Sequence, residues 1–144
     1  MSKKTIALAS DHGGYDLKET CKLFLLEMGY DVVDLGTDGT ASVDYPDFAD
    51  AMATALKEGI AEQGVLFCGT GIGISIAANR YAHIRAALVH DALSARLCRE
   101  HNDANVLVLG GRTTGVEVAK DCLKVFLNTP FEGGRHQKRI DKFS

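Results

Sequence analysis

The sequence predicts an α/β fold in which a parallel sheet is covered by helices on both faces. Two patterns carry this expectation. Short β-rich apolar runs alternate with longer segments of helical period along the chain, and three of the runs pass directly into glycine-rich loops, as parallel strands joined by crossover helices do. At 144 residues, 46% of them hydrophobic and 24% charged, the chain suits one compact domain with a sizeable core, residues 1–144, and argues against a second.

Five runs read as strands: Thr5 to Ala9, Asp31 to Leu35, Val65 to Cys68, Arg85 to Val89 and Val106 to Leu109. After the first, Leu17, Cys21, Phe24, Leu25 and Met28 share one helical face, and Gly29 is a suitable terminator. The next helix has Pro46 near its start, with Phe48, Met52, Leu56 and Ile60 recurring every four residues. Further helices are expected near Ile74 to Arg80, Ala92 to Glu100, Gly115 to Asn128 and Arg135 to Phe143. There is no internal repeat, low-complexity tract or linker.

A net charge of −3 and a pI near 5.9 give no global attraction to nucleic acid or an anionic membrane, although Arg135-His-Gln-Lys-Arg139 is locally basic. No run of 18 apolar residues occurs, and Met1-Ser-Lys-Lys-Thr-Ile-Ala lacks the pattern of a signal peptide, so a cytoplasmic protein is expected. Cys21, Cys68, Cys98 and Cys122 are widely spaced and form no Cys-x-x-Cys pair, which suggests neither a zinc site nor a disulfide framework. Cys21, Cys98 and Cys122 fit packing positions.

Ligands of an open parallel sheet bind beyond the carboxyl ends of its strands. The loops at that rim read Ser10-Asp-His-Gly-Gly14, Cys68-Gly-Thr-Gly-Ile-Gly73, His90-Asp91 and Gly110-Gly-Arg-Thr-Thr114. In the second of these, consecutive backbone N–H groups can converge on a negative charge at a helix start, and the same field favours a thiolate. Cys68 is therefore a candidate base or nucleophile, set against the plainer reading of a small residue ending a buried strand before a tight turn. Familiar alternatives fail on spacing. A dinucleotide fingerprint needs Gly-x-Gly-x-x-Gly, a phosphate-loop ATPase needs a lysine at the loop's end, and a cysteine-dependent phosphatase needs arginine where Ile74 stands.

Arg135 and Arg139 lie four apart on an expected helix and can clamp one phosphate, with Arg112 on the rim after the fifth strand; a solvated basic helix is the competing account. His101, followed by Asn102, sits between a helix and a strand, where an imidazole can transfer protons or simply cap the helix. His83 and His90 receive no role.

Six blocks, in order, resemble the sugar-phosphate isomerases of the ribose-5-phosphate isomerase type B group, which includes allose-6-phosphate and galactose-6-phosphate isomerases. They are Ser10-Asp-His-Gly-Gly14, Asp44-Tyr-Pro-Asp47, Cys68-Gly-Thr-Gly-Ile-Gly73, His101-Asn-Asp-Ala-Asn105, Gly110-Gly-Arg112 and Gly133-Gly-Arg-His-Gln-Lys-Arg139. The resemblance implies a three-layer α/β/α sandwich, Rossmann-like, with a five-stranded parallel sheet. It implies interconversion of ribose 5-phosphate and ribulose 5-phosphate in the pentose phosphate pathway, with no metal or organic cofactor. It further implies that Cys68 is the base and that Gly69, Gly71, Ile72 and Gly73 hold the enediolate, with the Thr70 hydroxyl assisting. On the same footing His101 opens the furanose ring, Asp11, His12 and Asn102 contact the sugar, and Arg112, Arg135 and Arg139 contact the phosphate. One branch of the family carries a glutamate where this chain has Ile74, so the resemblance points to the cysteine branch. A six-carbon sugar phosphate and a non-catalytic sugar-phosphate-binding module are the alternatives.

His101 and Asn102 precede the fifth strand whereas Cys68 ends the third. If both serve one sugar, His101 must come from a neighbouring chain, and the expected partner is a second copy in a homodimer or a larger assembly with shared sites.

Overall fold

The computed structural model describes residues 4–144; Met1–Lys3, part of the amino-terminal stretch considered above for a leader, lie outside them. Five strands, β1 (Thr5–Ser10), β2 (Asp31–Asp34), β3 (Gln63–Cys68), β4 (Ala86–Leu88) and β5 (Val106–Gly110), form one sheet in the order β2-β1-β3-β5-β4. Every pairing is parallel. The helices are α1 (Tyr15–Glu27), α2 (Tyr45–Lys57), α3 (Ile72–Ala78), α4 (Ala92–Glu100), α5 (Val116–Asn128) and α6 (Arg135–Asp141), and a single 3-10 turn, His12–Gly14, precedes α1. From β1 the chain crosses first to β2 on one side and later to β3 on the other. That reversal opens a crevice between the carboxyl ends of β1 and β3.

Alternation along the strands divides the core. Ile6, Leu8, Val65, Phe67, Leu107 and Leu109 face Leu17, Cys21 and Leu25 of α1, Ala95 and Cys98 of α4, and Leu123 and Phe126 of α5. Ala7, Ala9, Leu66, Cys68, Val106 and Val108 face Ala49, Met52 and Ala53 of α2 and Ile74 and Ala78 of α3. This is the three-layer sandwich, and it explains why β1, β3 and β5 read as continuous apolar runs: helices cover both of their faces. Burial also pushes the packed thiols up, Cys21 to about 12 and Cys98 and Cys122 to about 11, which keeps all three protonated.

Local chemistry sets the boundaries. α2 carries Pro46 in its first turn and ends at Lys57, because Gly59 adopts φ +75°. Ile60, which the four-residue spacing placed on the helix, therefore lies beyond it and is 45% exposed. α3 starts at Ile72, two residues earlier than expected, since Gly71 takes a left-handed turn at φ +80° and the helix follows at once. On the outer edge of β4, the Asn79 carboxamide donates to Ala86 O (2.9 Å) and accepts from Ala86 N–H (2.8 Å).

At the carboxyl end of β2 a wholly buried Lys18 bonds Asp34 (2.8 Å) and Glu19 (2.9 Å), tying α1 to the sheet. Burial opposes ionisation of Asp34, but bonds from Lys18, the Gly36 N–H and Lys22 outweigh it and hold the carboxyl below its usual range. A charge this deeply placed is retained because it is fully paired.

Candidate active site

Three glycine-rich loops meet in the crevice through their backbones. A methyl group on Gly13 would lie 3.0 Å from Gly69 N, one on Gly111 would lie 2.5 Å from Gly13 O, and one on Gly110 would lie 2.7 Å from the Thr70 carbonyl. Side chains there would force the loops apart. The contact is closed by hydrogen bonds from Gly111 N–H to Cys68 O and from Arg112 N–H to Gly69 O, both 2.8 Å.

Cys68 ends β3 with its thiol nearly buried, and the Gly71 N–H donates to its Sγ at 3.1 Å. Sulfur thus receives a fixed backbone donor. Thr70 is exposed beside it; its Oγ1 accepts from Ile72 N–H at 3.2 Å, leaving the hydroxyl proton free to donate outward. Asp11 caps the 3-10 turn through Oδ1, which accepts from Gly14 N–H at 3.1 Å. His12 Nδ1 accepts from Val43 N–H at 3.2 Å, so the proton of a neutral ring sits on Nε2. The Arg112 guanidinium lies over Gly69, 3.2 Å from where a Cβ would stand.

The other sequence-selected residues gather elsewhere. His101 caps the carboxyl end of α4, and its ring stacks on that of His136 with centroids 4.3 Å apart. Glu132 N–H donates to Glu100 O at 3.1 Å, which docks the segment leading into α6 against the end of α4. Arg135 and Arg139 are both exposed on α6 while His136 and Ile140 point inward. Asn102 borders a groove of about 400 Å³ that also meets Tyr81, Arg85 and Phe143. His101, Asn102, Arg135 and Arg139 therefore form an amino-edge group, whereas Asp11, His12, Cys68, Thr70, Ile72 and Arg112 lie at the carboxyl edge. The five residues of β5 separate the two by roughly 17 Å.

Two neighbours escaped the sequence reading. The Tyr45 ring packs on Gly73, with its ζ carbon 2.6 Å from a Cβ placed there. Buried His136 meets both His101 and Glu132, the last with 3.4 Å between Nε2 and Oε1. The four-residue spacing of Glu132 and His136 was the available signal. His101, Glu132 and His136 also bring three metal-ligand atoms within 4.8 Å, a cluster not visible as a local motif. Its two rings lie only 16° from parallel, so their in-plane lone pairs do not converge, and Arg135, Lys138 and Arg139 add positive charge on the same helix.

Residues 6–143 match the family model of the ribose/galactose isomerases. The chain belongs to that family. The ribose-5-phosphate isomerase B of Escherichia coli (strain K12) is 46% identical over 138 residues, covering 96% of this chain and 93% of that protein. A D-erythrulose-4-phosphate isomerase of Pectobacterium atrosepticum is 41% identical over 139 residues, 96% and 91% of the two chains. The crystal structure of a ribose 5-phosphate isomerase from Thermotoga maritima superposes with a TM-score of 0.97 at 51% identity, covering 99% and 98%. Among the described residues, no helix is long and apolar enough to cross a membrane.

Proposed function

We propose that the chain interconverts ribose 5-phosphate and ribulose 5-phosphate through an enediolate, in a site completed by a second copy of itself. The observation that carries this reading is the placement of the Cys68 thiol: it ends β3 under the Gly71 N–H, beside three loops packed together through their backbones.

In the open-chain aldose, the Cys68 thiolate takes the proton from C2. Negative charge then develops on the carbonyl oxygen, where the Gly73 N–H at the start of α3 and the Thr70 hydroxyl proton, left free by the Ile72 bond, donate to it. Donors fixed beforehand lower the barrier without reorganising. The thiol returns the proton to C1 while the hydroxyl proton passes from O2 to O1, giving the ketose. Asp11 Oδ2 and the His12 Nε2–H orient the sugar hydroxyls.

The phosphate does not react, so its contacts contribute binding and orientation. Arg112 supplies one contact from the Cys68 side. His101, Asn102, Arg135 and Arg139 come from the second copy, because the length of the strands keeps the same chain's own group out of reach. His101 then delivers the proton exchange that opens the furanose. A sugar phosphate is the partner, alongside a homodimer or a larger assembly of dimers, and the same reading places the protein in the cytoplasm and in the pentose phosphate pathway as a single domain.

The test is a substrate panel of ribose 5-phosphate, allose 6-phosphate, galactose 6-phosphate and erythrulose 4-phosphate, followed by loss of aldose or ketose. The highest kcat/KM is expected with ribose 5-phosphate. A higher value with another sugar reassigns the substrate, and no turnover of any leaves a binding module.

A further inference from the structure

We propose that Asp103, held between the guanidinium groups of Arg99 and Arg85, is the positioning residue that sets His101 and Asn102 for ring opening. The proposal rests on the reading above, in which His101 performs that step.

Asp103 has φ +46°, and among the described residues it is the one non-glycine residue with positive φ. An L-residue in this region carries strain, and it persists where surrounding contacts over-determine it. Here they do. The Asp103 carboxylate accepts from Arg99 Nη1 at 2.7 Å and faces Arg85 Nη2 at 3.5 Å, and its carbonyl accepts from Arg85 Nε at 2.8 Å. Its N–H donates to Arg99 O at 3.2 Å. Ala104 O takes a second bond from Arg99 Nη1, at 2.8 Å. The Asn105 carboxamide accepts from Arg85 N–H and donates to His83 O, each at 2.8 Å.

The clamp is itself anchored. Arg99 Nε donates to Thr129 O at 3.1 Å, and its guanidinium lies 5.8 Å from the ring centroid of Phe126, a residue with no exposed surface. The committed guanidinium of Arg99, with a side chain only 11% exposed, is a structural fork and not a phosphate ligand. On the other side of the turn, His101 N–H donates to Leu97 O at 2.8 Å. Asn102 is exposed, and among the described residues its side chain makes no hydrogen bond, so the backbone held before and after it determines where it points.

Ribulose 5-phosphate supplies a readout that a general loosening of the fold cannot imitate. The hydroxyl that would close its furanose carries the phosphate, so the ketose is open-chain, and exchange of its C1 proton with solvent needs Cys68 but no ring opening. Asp103→Asn removes the charge while keeping the shape, and asparagine tolerates left-handed backbone. Turnover of ribose 5-phosphate should fall about tenfold, the scale of a modest misplacement of a reacting group, with KM within about twofold. Deuterium wash-in at C1 of ribulose 5-phosphate should stay within about twofold of the unaltered protein. Arg99→Lys should divide the two activities the same way, with His101→Asn setting the limiting ratio.

Unchanged turnover in both folded variants overturns the proposal. So do equal losses of turnover and wash-in, or failure of both variants to fold, which make the clamp an element of stability alone. Full ribose 5-phosphate turnover in His101→Asn, by contrast, removes the role of His101 on which the proposal stands and leaves the isomerase itself in place.

Discussion

The two edges of the sheet are built from different materials. At the carboxyl edge, Gly13, Gly110 and Gly111 sit against neighbouring backbone with no room for side chains, and the donor to the Cys68 sulfur belongs to the backbone. At the amino edge, exposed side chains of α6 and a histidine at the end of α4 make up the group, and its rigidity comes from an arginine-carboxylate network. The difference matches the two tasks proposed for them. Charge that appears only in the transition state is met best by dipoles that cannot move, whereas a phosphate that stays charged throughout can be held by long cations adapting around it.

Removing the thiol should break this division most severely. Cys68→Ala is expected to lower kcat for ribose 5-phosphate by about 10²- to 10⁴-fold, the worth of a positioned general base, with inhibition by inorganic phosphate retained. Activity within about threefold of the unaltered protein, measured under saturating substrate, removes Cys68 from the role of base.

At the other edge the effect should fall on binding. Loss of a charge-assisted bond to phosphate predicts that Arg139→Ala raises KM by about 10- to 100-fold and weakens phosphate inhibition in parallel. Arg139→Lys should recover only part of this, because an ammonium lacks the planar fork. Inhibition constants unchanged in Arg139→Ala would make α6 a solvated basic helix.

The smallest effect tests whether the edges of two chains meet. Cys68→Ala and His101→Asn chains, co-refolded, should form hybrids with one doubly altered site and one intact site. A statistical mixture is then expected to recover about a quarter of the unaltered activity. Hybrids verified by mass spectrometry yet without activity would put Cys68 and His101 outside a shared site.

Much of the fold was legible because its signals are local. The runs at β1, β3 and β5 are apolar on both faces, and each passes into a loop that carries glycines. Ile60 shows the limit of periodicity: the four-residue spacing ran on past Lys57, but the left-handed turn at Gly59 outranked it. The carboxyl-edge candidates were readable because rim loops follow strands directly. The Tyr45–Gly73 and His101–His136 contacts were not, since they join positions 45 with 73 and 101 with 136, and a local window reports at most the Glu132–His136 spacing. Lys18 gave no signal either; its burial depends on Asp34, sixteen residues on, reaching the same end of the sheet.

The carboxamide of Asn79 has a consequence for solubility. β4 is an outermost strand, three residues long, and an open strand edge invites another chain to pair with it. Asn79 occupies both hydrogen-bonding groups of Ala86 on that side, standing in for a further strand with a single side chain. At that point the β4 edge is blocked to a further strand.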